Sequence, residues 1–131
     1  MIIDKPFLDN LSAQAKANPR LRQNYDMRTS SADQSQRMLN ALEIGTILPI
    51  HRHTRSAETL VMVRGKLRED FYNDNGEVTE SIILEAGGET PMLQIPVGQW
   101  HSLEVLESGT VIFEAKDGAY EPLGENDMMQ K

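Results

Sequence analysis

The sequence predicts an all-β domain, a small barrel or sandwich, with one helix at its N-terminal end. Three observations lead there. From Arg37 to about Ala115 the chain is a succession of short runs rich in Ile, Val, Leu, Thr, Phe and Tyr, the composition of half-buried pleated strands. Turn signals separate these runs, and Asn73-Asp74-Asn75-Gly76 is a strong hairpin turn because Asn and Gly accept positive φ at little cost. Apolar residues at helical spacing occur earlier, before Pro19, where Phe7, Leu8, Leu11 and Ala15 fall on one face.

That helix is expected over 6–18, since Pro6 suits a first helical turn and Asn18-Pro19 a stop. Arg20 to Gln36 is polar and rich in Ser, Asn, Asp and Arg, which predicts a loop or an arm lying across the domain. Strands are expected near Arg37 to Ile44, Ile47 to Ile50, Thr59 to Val63, Leu67 to Tyr72, Thr79 to Leu84, Met92 to Pro96, His101 to Leu106 and Thr110 to Lys116. Short strands joined by tight turns make a sandwich or barrel. Glu121 to Lys131 carries charge and methionine without periodicity and is expected to fray. The organisation is therefore a helix and arm over 1–36, a barrel over 37–120 and a tail over 121–131.

Composition narrows the function classes. A chain of 131 residues with net charge −7 is one domain whose surface repels phosphate backbones and anionic membranes, so no nucleic-acid or membrane partner is expected. The absence of cysteine removes disulfides, thiolate nucleophiles and Cys-based metal sites. Met1-Ile2-Ile3-Asp4-Lys5-Pro6 lacks the long apolar run of a targeting segment, and no later stretch is long enough to span a bilayer. A cytoplasmic location is the expectation.

All three histidines fall in one pattern: Gly45, His51-Arg52-His53, Glu58, Gly65 and, later, Pro96-Val97-Gly98-Gln99-Trp100-His101. On extended backbone, residues two apart share a face, so His51 and His53 can aim at one point while Arg52 faces away. A hairpin return brings Glu58 beside them, and the turn at Pro96-x-Gly98 brings His101 from a distant strand. Three nitrogens and one oxygen, His51, His53, His101 and Glu58, are the usual ligands of a borderline divalent metal and leave coordination positions open for water or substrate. Fe, Mn, Zn and Ni all suit such a set, and one ion per chain is expected. Glu114 and Lys116 share one face of a strand near the same end, with Tyr120 just beyond. They are candidates for acid, base or substrate contacts, or alternatively a surface ion pair and a packed tyrosine. Arg20, Arg22 and Arg37 are candidates for binding a phosphate or carboxylate, or partners for local acids. Trp100 either packs the barrel mouth or stacks a substrate.

The two histidine segments resemble the two motifs of the cupin superfamily. The first matches from Gly45 to Gly65; the second matches at Pro96, Gly98 and His101, but its leading Gly falls at Gly88 rather than at Thr90, and Val105 stands where Asn is usual. More closely, Pro19-Arg20-Leu21-Arg22, Gln36-Arg37-Met38-Leu39-Asn40-Ala41-Leu42, Pro49-Ile50-His51-Arg52-His53 and Glu114-Ala115-Lys116-Asp117-Gly118-Ala119-Tyr120 resemble the WbuC family of cupin-fold metalloproteins. The resemblance implies a double-stranded β-helix, that is a jelly-roll barrel, with the N-terminal helix or arm packed outside. It implies a link to bacterial O-antigen or other surface-polysaccharide metabolism and so a nucleotide-sugar or other small polar substrate, but no particular reaction. Two further readings stand beside a metal-dependent sugar isomerase or epimerase: an iron dioxygenase, and a binding or regulatory cupin without turnover. A homodimer is expected both from the resemblance and from the edge strands that a small barrel must protect.

Overall fold

The computed structural model describes residues 1–129. Helix α1 (Lys5–Ala17) starts where Asp4 accepts a hydrogen bond from the Phe7 amide at 3.1 Å, and Asn18 ends it in extended conformation. Pro6 sits in the first turn, where no amide is required. Its buried face is Leu8, Leu11, Ser12 and Ala15, the stripe expected from the spacing.

Among the described residues eight strands follow: β1 (Arg22–Asp26), β2 (Ser35–Leu42), β3 (Glu58–Arg64), β4 (Lys66–Tyr72), β5 (Val78–Glu85), β6 (Met92–Ile95), β7 (Trp100–Val105) and β8 (Thr110–Asp117). They form a five-stranded sheet in the order β1-β2-β8-β3-β6 and a three-stranded sheet in the order β5-β4-β7, antiparallel throughout. The chain alternates between the sheets as a jelly roll does, which leaves a space between their facing surfaces.

Three sequence expectations need correction. Arg22 to Asp26 is a strand rather than an arm, pairing with β2 from Arg22↔Leu42 to Asp26↔Met38. The run Ile47 to Ile50 is not a strand; Pro49 has no amide to give a ladder and Ile47 is 84% exposed. The C-terminal segment does not fray before residue 129: Glu125–Asp127 is a turn of 3-10 helix, and the Met129 amide donates to the Ile50 carbonyl at 2.8 Å. Residues 130 and 131 lie outside the described residues.

Two apolar clusters hold these layers. Leu42, Leu60, Met62, Leu67, Leu84, Val105 and Ile112 fill one end of the space between the sheets. Leu8, Leu11, Ala15, Leu39, Ala41 and Val111 lie between α1 and the outer face of the five-stranded sheet. Burying each of the larger of these side chains contributes about 1.5–3 kcal/mol. Strand alternation then decides what faces inward: Ile112, Glu114 and Lys116 on β8 share a face with one another, and the register sets Glu58 against Lys116, Leu60 against Glu114 and Met62 against Ile112. The interior therefore runs from hydrocarbon at one end to charge at the other.

Gly65 joins β3 to β4 in left-handed conformation, φ +81°. A Cβ there would overlap the Thr110 side chain and stand 2.7 Å from the Thr110 Cα, so the turn closes only without a side chain.

Candidate metal centre

The charged end of the interior opens into a cavity of about 680 Å³ lined by His51, His53, Glu58, His101, Glu114, Lys116 and Tyr120, among others. The geometry starts from backbone. His51 lies on the segment before β3 and bridges His101 of β7, exchanging hydrogen bonds at 3.0 and 2.9 Å. Gly98, at φ +79°, turns the chain into β7 so that His101 faces inward and is 3% exposed.

The imidazoles are oriented from behind. His51 Nδ1 lies 2.9 Å from the Pro49 carbonyl oxygen and His101 Nδ1 2.9 Å from that of Gln99. A carbonyl only accepts, so each Nδ1 carries the proton and each Nε2 keeps its lone pair for the cavity. One ring nitrogen from each of His51, His53 and His101 lies within 4.8 Å of the others, a separation that small side-chain rotations bring to the spacing of donors around one ion bound at about 2.1 Å. Burial lowers the His51 pKa to about 4, with the neighbouring His101 adding to the effect, and burial lowers that of His53. Both rings are neutral near pH 7, the form that ligates.

Glu58 opens β3 as expected. Its Oε2 lies 3.3 Å from His101 Nε2 and 3.9 Å from His53 Nε2, and its Oε1 lies 3.5 Å from Lys116 Nζ. Burial pushes this carboxyl up, but the Lys116 charge 3.5 Å away, with the histidine rings beside it, outweighs burial and holds the pKa well below the usual carboxylate range. Glu114 lies 3.9 Å from Lys116, and burial together with the Glu58 charge pushes it up to about 8. The donor set fits a divalent ion: imidazoles turned by backbone carbonyls so that Nε2 faces the cavity, an ionised carboxylate beside them, and an accessible cavity in front.

Of the other sequence candidates, Glu114, Lys116 and Tyr120 join the histidines in the cavity, with Tyr120 at its rim and 54% exposed. Arg20, Arg22, Arg37 and Trp100 lie outside the lining. Arg22 Nη1 donates to the Ile47 carbonyl at 2.9 Å, and Arg37 donates to Ser35 and Met27 carbonyls and to Asp33. Trp100 donates from Nε1 to Asp74, and the Arg52 guanidinium stacks 4.3 Å from its ring centroid. The Arg52 amide in turn donates to the Asp127 carbonyl at 3.0 Å, which ties the C-terminal segment to the histidine loop and sets Pro122, Leu123 and Asp127 in the cavity wall.

Sequence reasoning missed Glu69. It is fully buried, lines the same cavity, and neither carboxylate oxygen has a hydrogen-bond partner among the described residues. Burial, with Glu58 and Glu114 adding to it, pushes its pKa up to about 9. The signal was present: in Leu67-Arg68-Glu69-Asp70-Phe71 the positions that alternate with Leu67 and Phe71 face inward, and an acid occupies one of them.

Fold and site together define a jelly-roll barrel with three histidines gathered at one end of its interior. The chain belongs to the family described as "Domain of unknown function (DUF6016)", which matches residues 3–84. No curated protein matches the chain. Among solved structures it is similar to KdgF from Halomonas sp., 14% identical over 77% of this chain and 82% of that one with a TM-score of 0.61. It is also similar to the oxalate decarboxylases of Lactobacillus farciminis, 14% identical over 76% of this chain and 29% of that one (TM-score 0.61), and of Bacillus subtilis, 22% identical over 83% and 27% (TM-score 0.59). The chain spans most of KdgF but under a third of either decarboxylase. At these identities the likeness is one of fold, the cupin jelly roll. Among the described residues no helix is long and apolar enough to cross a membrane.

Proposed function

We propose that this chain is a mononuclear metal-dependent cupin enzyme in which His51, His53, His101 and Glu58 hold one divalent ion. The observation that carries the reading is the convergence of three imidazoles within 4.8 Å, two of them fixed through Nδ1 to backbone carbonyls, at a cavity that also holds Lys116 and Glu114. A bound ion supplies Lewis acidity toward a hydroxyl or carbonyl oxygen of the substrate. Structures of Bacillus subtilis oxalate decarboxylase describe Mn(II) centres, which supports manganese beside iron, zinc and nickel as the ion to test.

This chain's own groups supply the rest. Glu114, held protonated near neutral pH, is placed to deliver a proton into the cavity, and Lys116 keeps Glu58 ionised and fixed. No histidine is left over to act as a base, so proton transfer falls to Glu114, Tyr120 or Lys116. Tyr120 and the C-terminal residues Pro122, Leu123 and Asp127 form part of the cavity wall. With Glu69 and Glu114 protonated, the lining sets Glu58, Asp117, Glu121 and Asp127 against Lys116, Arg55 and the bound ion, a near-balance of charge that suits an uncharged oxygen-rich group inside. That, with the resemblance to the WbuC family, supports the sugar end of a nucleotide sugar in surface-polysaccharide biosynthesis. Exposed Val78, Ile83 and Met92 on strands β5 and β6 support pairing of two chains.

The test is reconstitution of the metal-free protein with each ion and a panel of nucleotide-linked keto sugars, following product and dioxygen together. Turnover with redox-inert zinc supports the isomerase or epimerase reading. Oxygen uptake stoichiometric with substrate loss, confined to iron, replaces it with a dioxygenase; saturable binding without product under every metal replaces it with a binding protein.

A further inference from the structure

Glu69 has no role in the metal set, and its placement asks for one. On β4 it pairs with Leu103, while Phe71, two residues on, pairs with His101. Glu69 and Phe71 therefore share the inward face, and Glu69 lies about 7 Å along the strands from the level of His101. Across the cavity stand Glu58 and Glu114 of the other sheet, the charges that act on it most strongly. Asp70, the remaining acid that acts on it, points to the opposite face, where it pairs with Arg68 at 3.0 Å and accepts from Ser81 at 2.6 Å. A fully buried carboxyl with both oxygens unpartnered is a costly feature that folds seldom retain without use.

We propose that Glu69 is a ligand-binding residue of this cavity, engaging a hydroxyl of a polyhydroxylated compound whose other end lies at the histidine triad. This rests on the metal-dependent reading above and names its substrate class. A protonated carboxyl both donates and accepts, as a hydroxyl does, so the two form a reciprocal pair, whereas a phosphate or carboxylate of the ligand would meet only one donor and several acidic neighbours. The spacing from the triad suits a carbon chain of roughly four to six atoms. Glu69 is thus the deep anchor, and the groups at the triad act on the near end.

The test uses the zinc-loaded full chain and its Glu69→Gln, Glu69→Leu and Glu69→Met variants, titrated with D-xylose, D-fructose and erythritol by calorimetry and ligand-observed NMR. The parent binds at least one probe. Glu69→Gln, which keeps a donor and an acceptor, binds it within a few-fold, and both apolar variants lose about tenfold or more, the worth of a buried hydrogen bond. The apolar variants also melt higher than the parent, by roughly 4 °C, because an unpartnered polar group is gone. Equal affinity in the apolar variants, lower melting in both, or no binding of any probe to the parent overturns the proposal. Zinc content separates the two readings: the Glu69 variants keep zinc, and a parent that binds no zinc fails the metal reading whatever the sugar titrations give.

Discussion

His51 and His101 exchange both of their backbone hydrogen bonds, at 3.0 and 2.9 Å, although fifty residues separate them in the chain. One rung of ladder thus sets the distance between two imidazoles before any side chain is placed. Their Nδ1 atoms are then satisfied locally, by Pro49 and Gln99, so the metal-facing nitrogens are aimed by groups that do not depend on an ion being bound.

Replacing His51 and His101 together by Ala is expected to abolish metal binding and leave the barrel folded, because the rung is made by backbone. The parent should carry about one ion per chain by elemental analysis, and saturation should stabilise it by about 2.7 kcal/mol at a hundredfold excess over the dissociation constant. Undiminished metal content in the double variant, with an unchanged far-ultraviolet spectrum, would refute the ligand assignment.

The metal-free protein should lose stability at both ends of the pH range. His51 titrates near 4 in the fold against 6.5 in the open chain; the unfolded state then binds more protons between those values, and stability falls as pH drops through that window. Glu69 works the other way. Its folded value of about 9 against 4.5 means that the fold holds a proton the open chain has released, so its contribution is complete below pH 4.5 and is lost as pH rises toward 9, with a slope of about 1.4 kcal/mol per pH unit. Denaturant titrations from neutral pH to pH 9 should show that decline, and Glu69→Gln should make it shallower. An unaltered slope in the variant would show that Glu69 is ionised in the fold.

Gly65→Ala is expected to destabilise by about 2 kcal/mol or more, since the added methyl meets Thr110 from both side chain and Cα and φ is +81°. Chemical denaturation measures it. Pairing the change with Thr110→Ala, which removes the Oγ1 contact but keeps Cβ and Cα, should recover no more than part of the loss.

Arg52→Ala should release the C-terminal segment. Arg52 stacks on Trp100, donates from Nη2 to the Asn126 carbonyl at 2.9 Å and faces Asp127 at 3.7 Å; together these contribute about 1 kcal/mol. Hydrogen exchange of the Asp127 and Met129 amides, both bonded to backbone carbonyls, should quicken while β3 and β8 stay protected.

What the sequence made legible follows from how each element is held. The strands from Met38 to Ala115 were legible as short apolar and β-branched runs, continuous in Val111-Ile112-Phe113 where α1 covers one face and the interior cluster the other. Strand β1 reads Arg-Gln-Asn-Tyr-Asp, with Tyr25 as its one large apolar residue, and exists through its ladder to β2 rather than through local preference. The C-terminal segment is likewise fixed by backbone bonds to Ile50 and Arg52, which leave no periodic trace. The histidines were visible through spacing and turn residues. Glu69 stayed hidden inside a run that reads as an ordinary strand, and of the candidate arginines Arg22 and Arg37 donate to carbonyls and, for Arg37, an acid of their own neighbourhood.

The four proposed donors are shared out between the two layers: Glu58 belongs to the five-stranded sheet, His101 to the three-stranded one, and His51 and His53 to the segment before β3 that bridges to β7. An ion gripping all four would rivet the layers at their charged end, where little hydrocarbon does so, while the far end is welded by leucine and isoleucine. Without it that end is tied by the backbone bonds of the His51–His101 rung and of the C-terminal segment, and any breathing should be confined to the open lip. Amides of β7 near Trp100 and of β3 near Glu58 should therefore exchange faster in chelator-treated protein, and those beside Leu42 and Ile112 should not change.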